Sequence, residues 1–202
     1  MAYTPLSFDS NTPRTVRDFI RAHLDMQFHD VHCMFRLPMP AHDIGAGCNF
    51  AAANTLLSLV SGCSVTLYEQ GSQPRKSGQF FRGVLDGFYP WDLEPPNGAA
   101  KKQAIELLYD QFRNPLAHAF GIQEKKAKGL ILGIGKGTSQ EGDIEALEKL
   151  KTTGLPTIAV VPGSKTLIVE GLYWGVREMV RRLTGDTKRM KAAETYLKKV
   201  LA

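Results

Sequence analysis

The chain has 202 residues, 43% of them hydrophobic and 22% charged, which is the make-up of an ordinary globular protein of one or two domains. That composition excludes wholesale disorder, a collagen-like fibre and a polytopic membrane protein. Basic side chains exceed acidic ones by five, and the last 32 residues hold the whole excess, eight Lys/Arg against Glu178, Asp186 and Glu194. Such an end either attracts a polyanion such as nucleic acid or solvates the outer faces of terminal helices, and the scattered spacing favours solvation. Cys33, Cys48 and Cys63 are too few for a disulfide framework. No basic stretch at the N-terminus leads into an apolar one, so the expected location is a reducing cytoplasm.

The first helix is expected to begin after Asn11 or Thr12, with Pro13 in its first turn, and to run to about Arg36 before Pro38 and Pro40. Val16, Phe19, Ile20, Leu24, Val31, Met34 and Phe35 form its apolar stripe. Between Asp43 and Glu69 lie 25 uncharged residues, enough to span a bilayer. Seven of them are Asn, Ser or Thr, and Asn54, Ser58 and Ser61 share one helical face. The segment therefore reads as a buried central helix, about 47–68, rather than a membrane span. Phe80, Phe81, Val84, Leu85 and Phe88 recur at helical spacing, although Gly83 and Gly87 weaken the pattern. A proline-rich loop, YPWDLEPPNG, precedes a helix expected over about 99–112.

After Gly129 the pattern changes. GLILGIGKG reads as a short buried strand, and Thr138–Glu141 has the spacing of a capping box opening a helix to about Lys151. TIAVVPGSKTLIVE reads as two strands joined at Pro162-Gly163. Two amphipathic helices follow, carried by Leu172, Val176, Met179, Val180 and Leu183, then by Met190, Ala193, Leu197, Val200 and Leu201. The expected fold is mainly α: an antiparallel helical bundle in one domain, 1–202, with a small β-sheet inserted at about 129–169 before two C-terminal helices.

Phosphate loops are excluded by spacing. GIGKGT lacks the leading glycine and the Ser/Thr after lysine that a Walker loop needs, and GxGxxG from Gly133 ends on Thr138. These glycines, and the one in PGSKT, read as turn residues at strand ends. His29, His32, Cys33, His42 and Cys48 fall within twenty residues, but no paired zinc spacing appears. No metal and no cofactor are expected.

The segment from Leu107 to Gly121 carries the chemistry-bearing pattern. Pro115 lacks an amide proton, so Asn114 is expected to cap a new helix with Pro115 at its first position. A break there turns Arg113 and His118 into one cleft, beside a helix N-terminus that favours an anion. The structural alternative is that Arg113 pairs with Asp110 or Glu106 along its own helix while His118 caps a buried turn.

Arg113, Asn114, three residues and then His118 resemble the ribonuclease motif of the HEPN superfamily: Arg, a polar residue, three residues, His. The helical stretch around it resembles the family over about 14–125, although only 105–121 is specific. The looser spacing is also met by Arg17 with His23 and by Arg36 with His42. The resemblance implies a metal-independent endoribonuclease that cleaves RNA by attack of the 2′-hydroxyl. Arg113 holds phosphate oxygens, His118 carries the proton, and Asn114 orients either group. It also implies a homodimer that joins two motifs, and a toxin or phage-defence role with a neutralising antitoxin partner. Some members bind RNA or nucleotides without cutting, so a non-catalytic RNA- or protein-binding module is the alternative.

Overall fold

The computed structural model describes residues 3–36, 48–69, 76–114, 116, 131–135 and 155–202. Helix α1, Arg14–Arg36, begins and ends where the sequence places it. Asp9 accepts the Asn11 amide and the Thr12 hydroxyl, and Arg17 reaches back to the carbonyls of Asp9, Ser10 and Thr12. Those bonds fix the chain as it enters the helix. The buried stripe is Val16, Ile20, Leu24, Phe28, Val31 and Phe35, with Phe19 and Met34 at its half-buried margin.

Helix α2, Asn49–Cys63, is the central helix, in contact with α1 on one side and with later helices on others. Ala52, Ala53, Leu56, Leu57, Leu59, Val60 and Cys63 are buried, while Asn54 and Ser58 face solvent. By length and hydropathy the segment through Tyr68 suffices to cross a membrane, yet half of it is buried inside the fold, as a core helix is. Its last turn, Ser64–Tyr68, widens into a π-helix. Helix α3, Ser77–Phe88, buries Phe81, Val84 and Leu85. Of the two glycines that weaken its pattern, Gly83 has a packing reason, while Gly87 faces open space. A Cβ on Gly83 would stand 2.9 Å from the Tyr68 hydroxyl, whose ring packs edge-on against Phe88. Helix α4, Lys101–Glu106, continues directly as a second π-helical segment, Leu107–Arg113.

Strands β1 (Ile131–Gly135), β2 (Ile158–Val161) and β3 (Ser164–Ile168) form one sheet in the order β1-β3-β2. β3 runs parallel to β1, with Ile131 opposite Ser164, and antiparallel to β2, with Ile158 opposite Leu167. The hairpin turns at Pro162-Gly163, where Gly163 takes the positive φ of 77° that favours glycine. Helices α5 (Val169–Thr184) and α6 (Thr187–Val200) follow, the second capped by Asp186, which accepts the Arg189 amide. All five apolar residues named for α5 are buried. In α6, Met190, Ala193 and Leu197 are buried, but Val200 and Leu201 are exposed because the helix runs past the core. The helix expected over 141–151 lies outside the described residues.

A buried polar cluster ties the proline-rich loop to the sheet. Glu94 accepts both the amide and the hydroxyl of Thr157, and the Thr157 hydroxyl also bonds Tyr89. Burial raises the Glu94 carboxyl above the usual range, against the lowering effect of the Thr157 bonds. The Ala99 amide then donates to the Ile158 carbonyl at 2.9 Å, extending the edge of β2.

Candidate functional site

The π-helical segment of α4 sets the geometry around Arg113. Asn114 has φ −66° and ψ −48°, and its amide donates to the Tyr109 carbonyl five residues back. The expected capping role is therefore corrected. An N-cap needs extended backbone, whereas Asn114 continues the helix in the wider π register. Its side chain is free for another task, and its Oδ1 accepts from an Arg113 terminal nitrogen at 3.0 Å.

Arg113 is half-buried. Its Nε donates to Ser61 Oγ of α2 at 3.4 Å, and its guanidinium carbon stands 5.9 Å from the centre of the Tyr109 ring. Ser61 is committed on both sides, because its own hydroxyl donates to the Leu57 carbonyl. The uncharged polar face of α2 thus supplies the acceptor that orients Arg113. Glu106 and Asp110, the acids offered to Arg113 along its own helix, both bind Arg82 of α3, at 3.0 and 2.9 Å. Arg82 also stacks on Tyr109, its guanidinium carbon 4.1 Å from the ring centre. Burial would lower the Arg82 pKa, but its bonds to Glu106 and Asp110 raise it, so it stays charged. Two arginines therefore flank one tyrosine, one bound to carboxylates and one to Ser61 and Asn114.

Arg82 also lines an open groove between α3 and α4 of about 550 Å³, with Asp86, Lys101, Lys102 and Ile105. Sequence reasoning missed Ser61, Arg82 and Tyr109. Tyr109 stands inside the motif segment and was legible as an aromatic one helical turn before Arg113. Ser61 and Arg82 come from other helices, and only their packing reveals them. Pro115 and His118 lie outside the described residues, so Arg113 and Asn114 are the two motif residues the structure brings together.

The competing Arg17–His23 match has a structural occupation. Arg17 is spent on the carbonyls that open α1, and His23 stacks on Phe19 and bonds its carbonyl. PGSKT is the β2–β3 hairpin, as expected of a turn. His32 is buried and His29 pairs with Cys33, while His42 lies outside the described residues. No family model, curated protein or solved structure matches this chain. The site must therefore be read from its own residues.

Much of the C-terminal basic excess is internally paired. Arg182 bonds Asp92 and Glu178, Arg181 bonds Glu178, Arg189 bonds Asp186 and the Tyr68 carbonyl, and Lys198 pairs with Glu194. Lys188, Lys191 and Lys199 are exposed. This pattern fits solvation of helix faces better than a concentrated polyanion track.

Proposed function

We propose that the chain is a metal-independent endoribonuclease of the HEPN type, built on Arg113, Asn114 and His118. The observation that carries this reading is the orientation of Arg113: a half-buried guanidinium held by Ser61 of one helix and Asn114 of its own. A guanidinium held in one orientation is a planar, permanently charged group of the kind that recognises phosphate oxygens. Preorganised donors of this kind need little rearrangement as charge builds on phosphorus.

In the proposed reaction the 2′-oxygen forms a bond to phosphorus as the bond to the 5′-oxygen breaks. A base takes the 2′-hydroxyl proton, and an acid delivers one to the departing 5′-oxygen. The products are a 2′,3′-cyclic phosphate and a 5′-hydroxyl. His118 is the motif's titratable group near neutrality and serves as the proton carrier. One histidine cannot be base and acid in the same step, so a homodimer that pairs two motifs supplies both. Asn114 acts as a positioning residue, through Arg113.

The test is cleavage of a mixed RNA in EDTA by the wild type and by His118→Ala, with analysis of product ends. The reading predicts cyclic-phosphate ends from the wild type and a loss in rate on the order of 10²–10⁴-fold in the variant. Equal cleavage by both proteins removes His118 from the mechanism. RNA binding without cleavage favours the non-catalytic module.

A further inference from the structure

Arg113 has competitors for its orientation on its own helix. Asp110 stands three residues before it, a spacing at which a carboxylate pairs with an arginine, and Glu106 stands one turn further back. Both acids are instead taken by Arg82 of α3, whose Nε bonds Glu106 at 3.0 Å and whose terminal nitrogen bonds Asp110 at 2.9 Å. The other terminal nitrogen of Arg82 donates to the Gly78 carbonyl at 3.4 Å, so every nitrogen of that guanidinium has a partner inside the fold. The guanidinium carbons of Arg82 and Arg113 stand 4.1 and 5.9 Å from the same Tyr109 ring centre, hence at most about 10 Å apart. An Asp110 released by Arg82 is therefore a near neighbour of Arg113. The π register of Leu107–Arg113, with more residues to the turn, also swings Arg113 off the face that holds Asp110.

We propose that Arg82 is a positioning residue for the nuclease site: by holding Asp110 and Glu106 it keeps Arg113 on Ser61 and Asn114. The inference rests on the reading of Arg113 as the phosphate-holding group. Arg82 acts through these acids rather than on substrate, because its nitrogens are already bound to Glu106, Asp110 and Gly78. Without it, two uncompensated carboxylates stand beside the site. Asp110 then competes with Ser61, a neutral acceptor at 3.4 Å, for the Arg113 guanidinium. The carboxylate makes the stronger, charge-assisted bond, so Arg113 turns back along its own helix and the phosphate loses its partner. Glu106 and Asp110 are half exposed, so water solvates their charges and the fold survives the loss of Arg82.

The test compares Arg82→Gln, Arg82→Gln with Asp110→Asn, and Lys102→Gln in the full chain. Two readouts are taken: single-turnover RNA cleavage, and the NMR signal of the Arg113 Nε–H, the group that bonds Ser61. Arg82→Gln lowers the rate on the order of tenfold and shifts the Nε–H signal. Adding Asp110→Asn brings both back to within about twofold of the wild type although Arg82 is still missing, which a merely structural role would not allow. Lys102→Gln removes an equal charge from the same groove and leaves both readouts unchanged. Where glutamine at 82 lowers the melting temperature below that of the assay, Arg82→Lys reads the effect in the same direction, because an ammonium lacks the fork that spans two carboxylates. An unmoved rate and signal in Arg82→Gln overturn the proposal. So does a loss that Asp110→Asn fails to restore, or an equal loss in Lys102→Gln. A wild type that cleaves no RNA defeats the nuclease reading instead, and the Nε–H signal still decides whether Arg82 positions Arg113.

Discussion

Glu94 shows how one side chain couples the molecule to pH. Its carboxylate is half-buried and binds Thr157 twice, yet burial outweighs those bonds and raises its pKa. A carboxyl whose folded pKa lies above its unfolded one binds more protons folded than unfolded in the interval between them. Stability therefore falls as pH rises through the folded value. Thermal melts taken from neutral pH down towards the ordinary carboxyl range should show the wild type gaining stability relative to Glu94→Gln, and parallel curves for the two would refute the assignment. Arg113 poses the opposite case at the same scale. Its value lies in orientation, because Ser61 and Asn114 each accept one of its N–H groups. The motif pattern made Arg113 and Asn114 legible in sequence. It did not show that Asn114 stays helical, because a cap and a π-turn residue look alike until the hydrogen-bond register is known.

Helices with a full apolar stripe were the easiest elements to read. In α5 every residue predicted to face inward does so, and the Pro162-Gly163 turn announced the β2–β3 hairpin. Phe28 escaped the reading of α1 although it continues the buried stripe between Leu24 and Val31. The two π-helical segments left no local signature, since their residues are those of ordinary helix. Their wider turns depend on how the ends of α2 and α4 pack. Gly175 illustrates the same dependence on neighbours. It sits inside α5 where a Cβ would collide with the Tyr89 hydroxyl, itself fixed by Thr157 in the buried cluster. Gly175→Ala should cost about 2 kcal/mol in denaturant unfolding through overpacking. A stabilised variant would mean that Tyr89 moves aside freely.

At the scale of the whole molecule, one apolar core among the described residues joins all six described helices with Ile158 and Leu167 of the sheet. The N-terminal segment is clasped to α5. Arg177 of α5 donates to the Tyr3 hydroxyl and the Thr4 carbonyl, while Asp25 of α1 accepts the Tyr3 hydroxyl and the Leu6 amide. Contacts between residues 3 and 177 carry no sequence periodicity, which is why this clasp was not foreseen. The same folding turns several C-terminal arginines into partners of Asp92, Glu178 and Asp186, so a basic composition does not become a basic track. The proposed nuclease therefore depends on the Arg113 site rather than on the charge of the C-terminal helices. The most direct measurement is the single-turnover cleavage rate of an RNA beside its binding affinity, for wild type, Arg113→Lys and His118→Ala. Lysine keeps the charge at 113 but loses the fork that Ser61 and Asn114 orient. The account predicts that both substitutions lower the rate on the order of 10²–10⁴-fold while affinity stays nearly constant. Rates that match the wild type in both variants would contradict it, as would losses explained entirely by weaker binding.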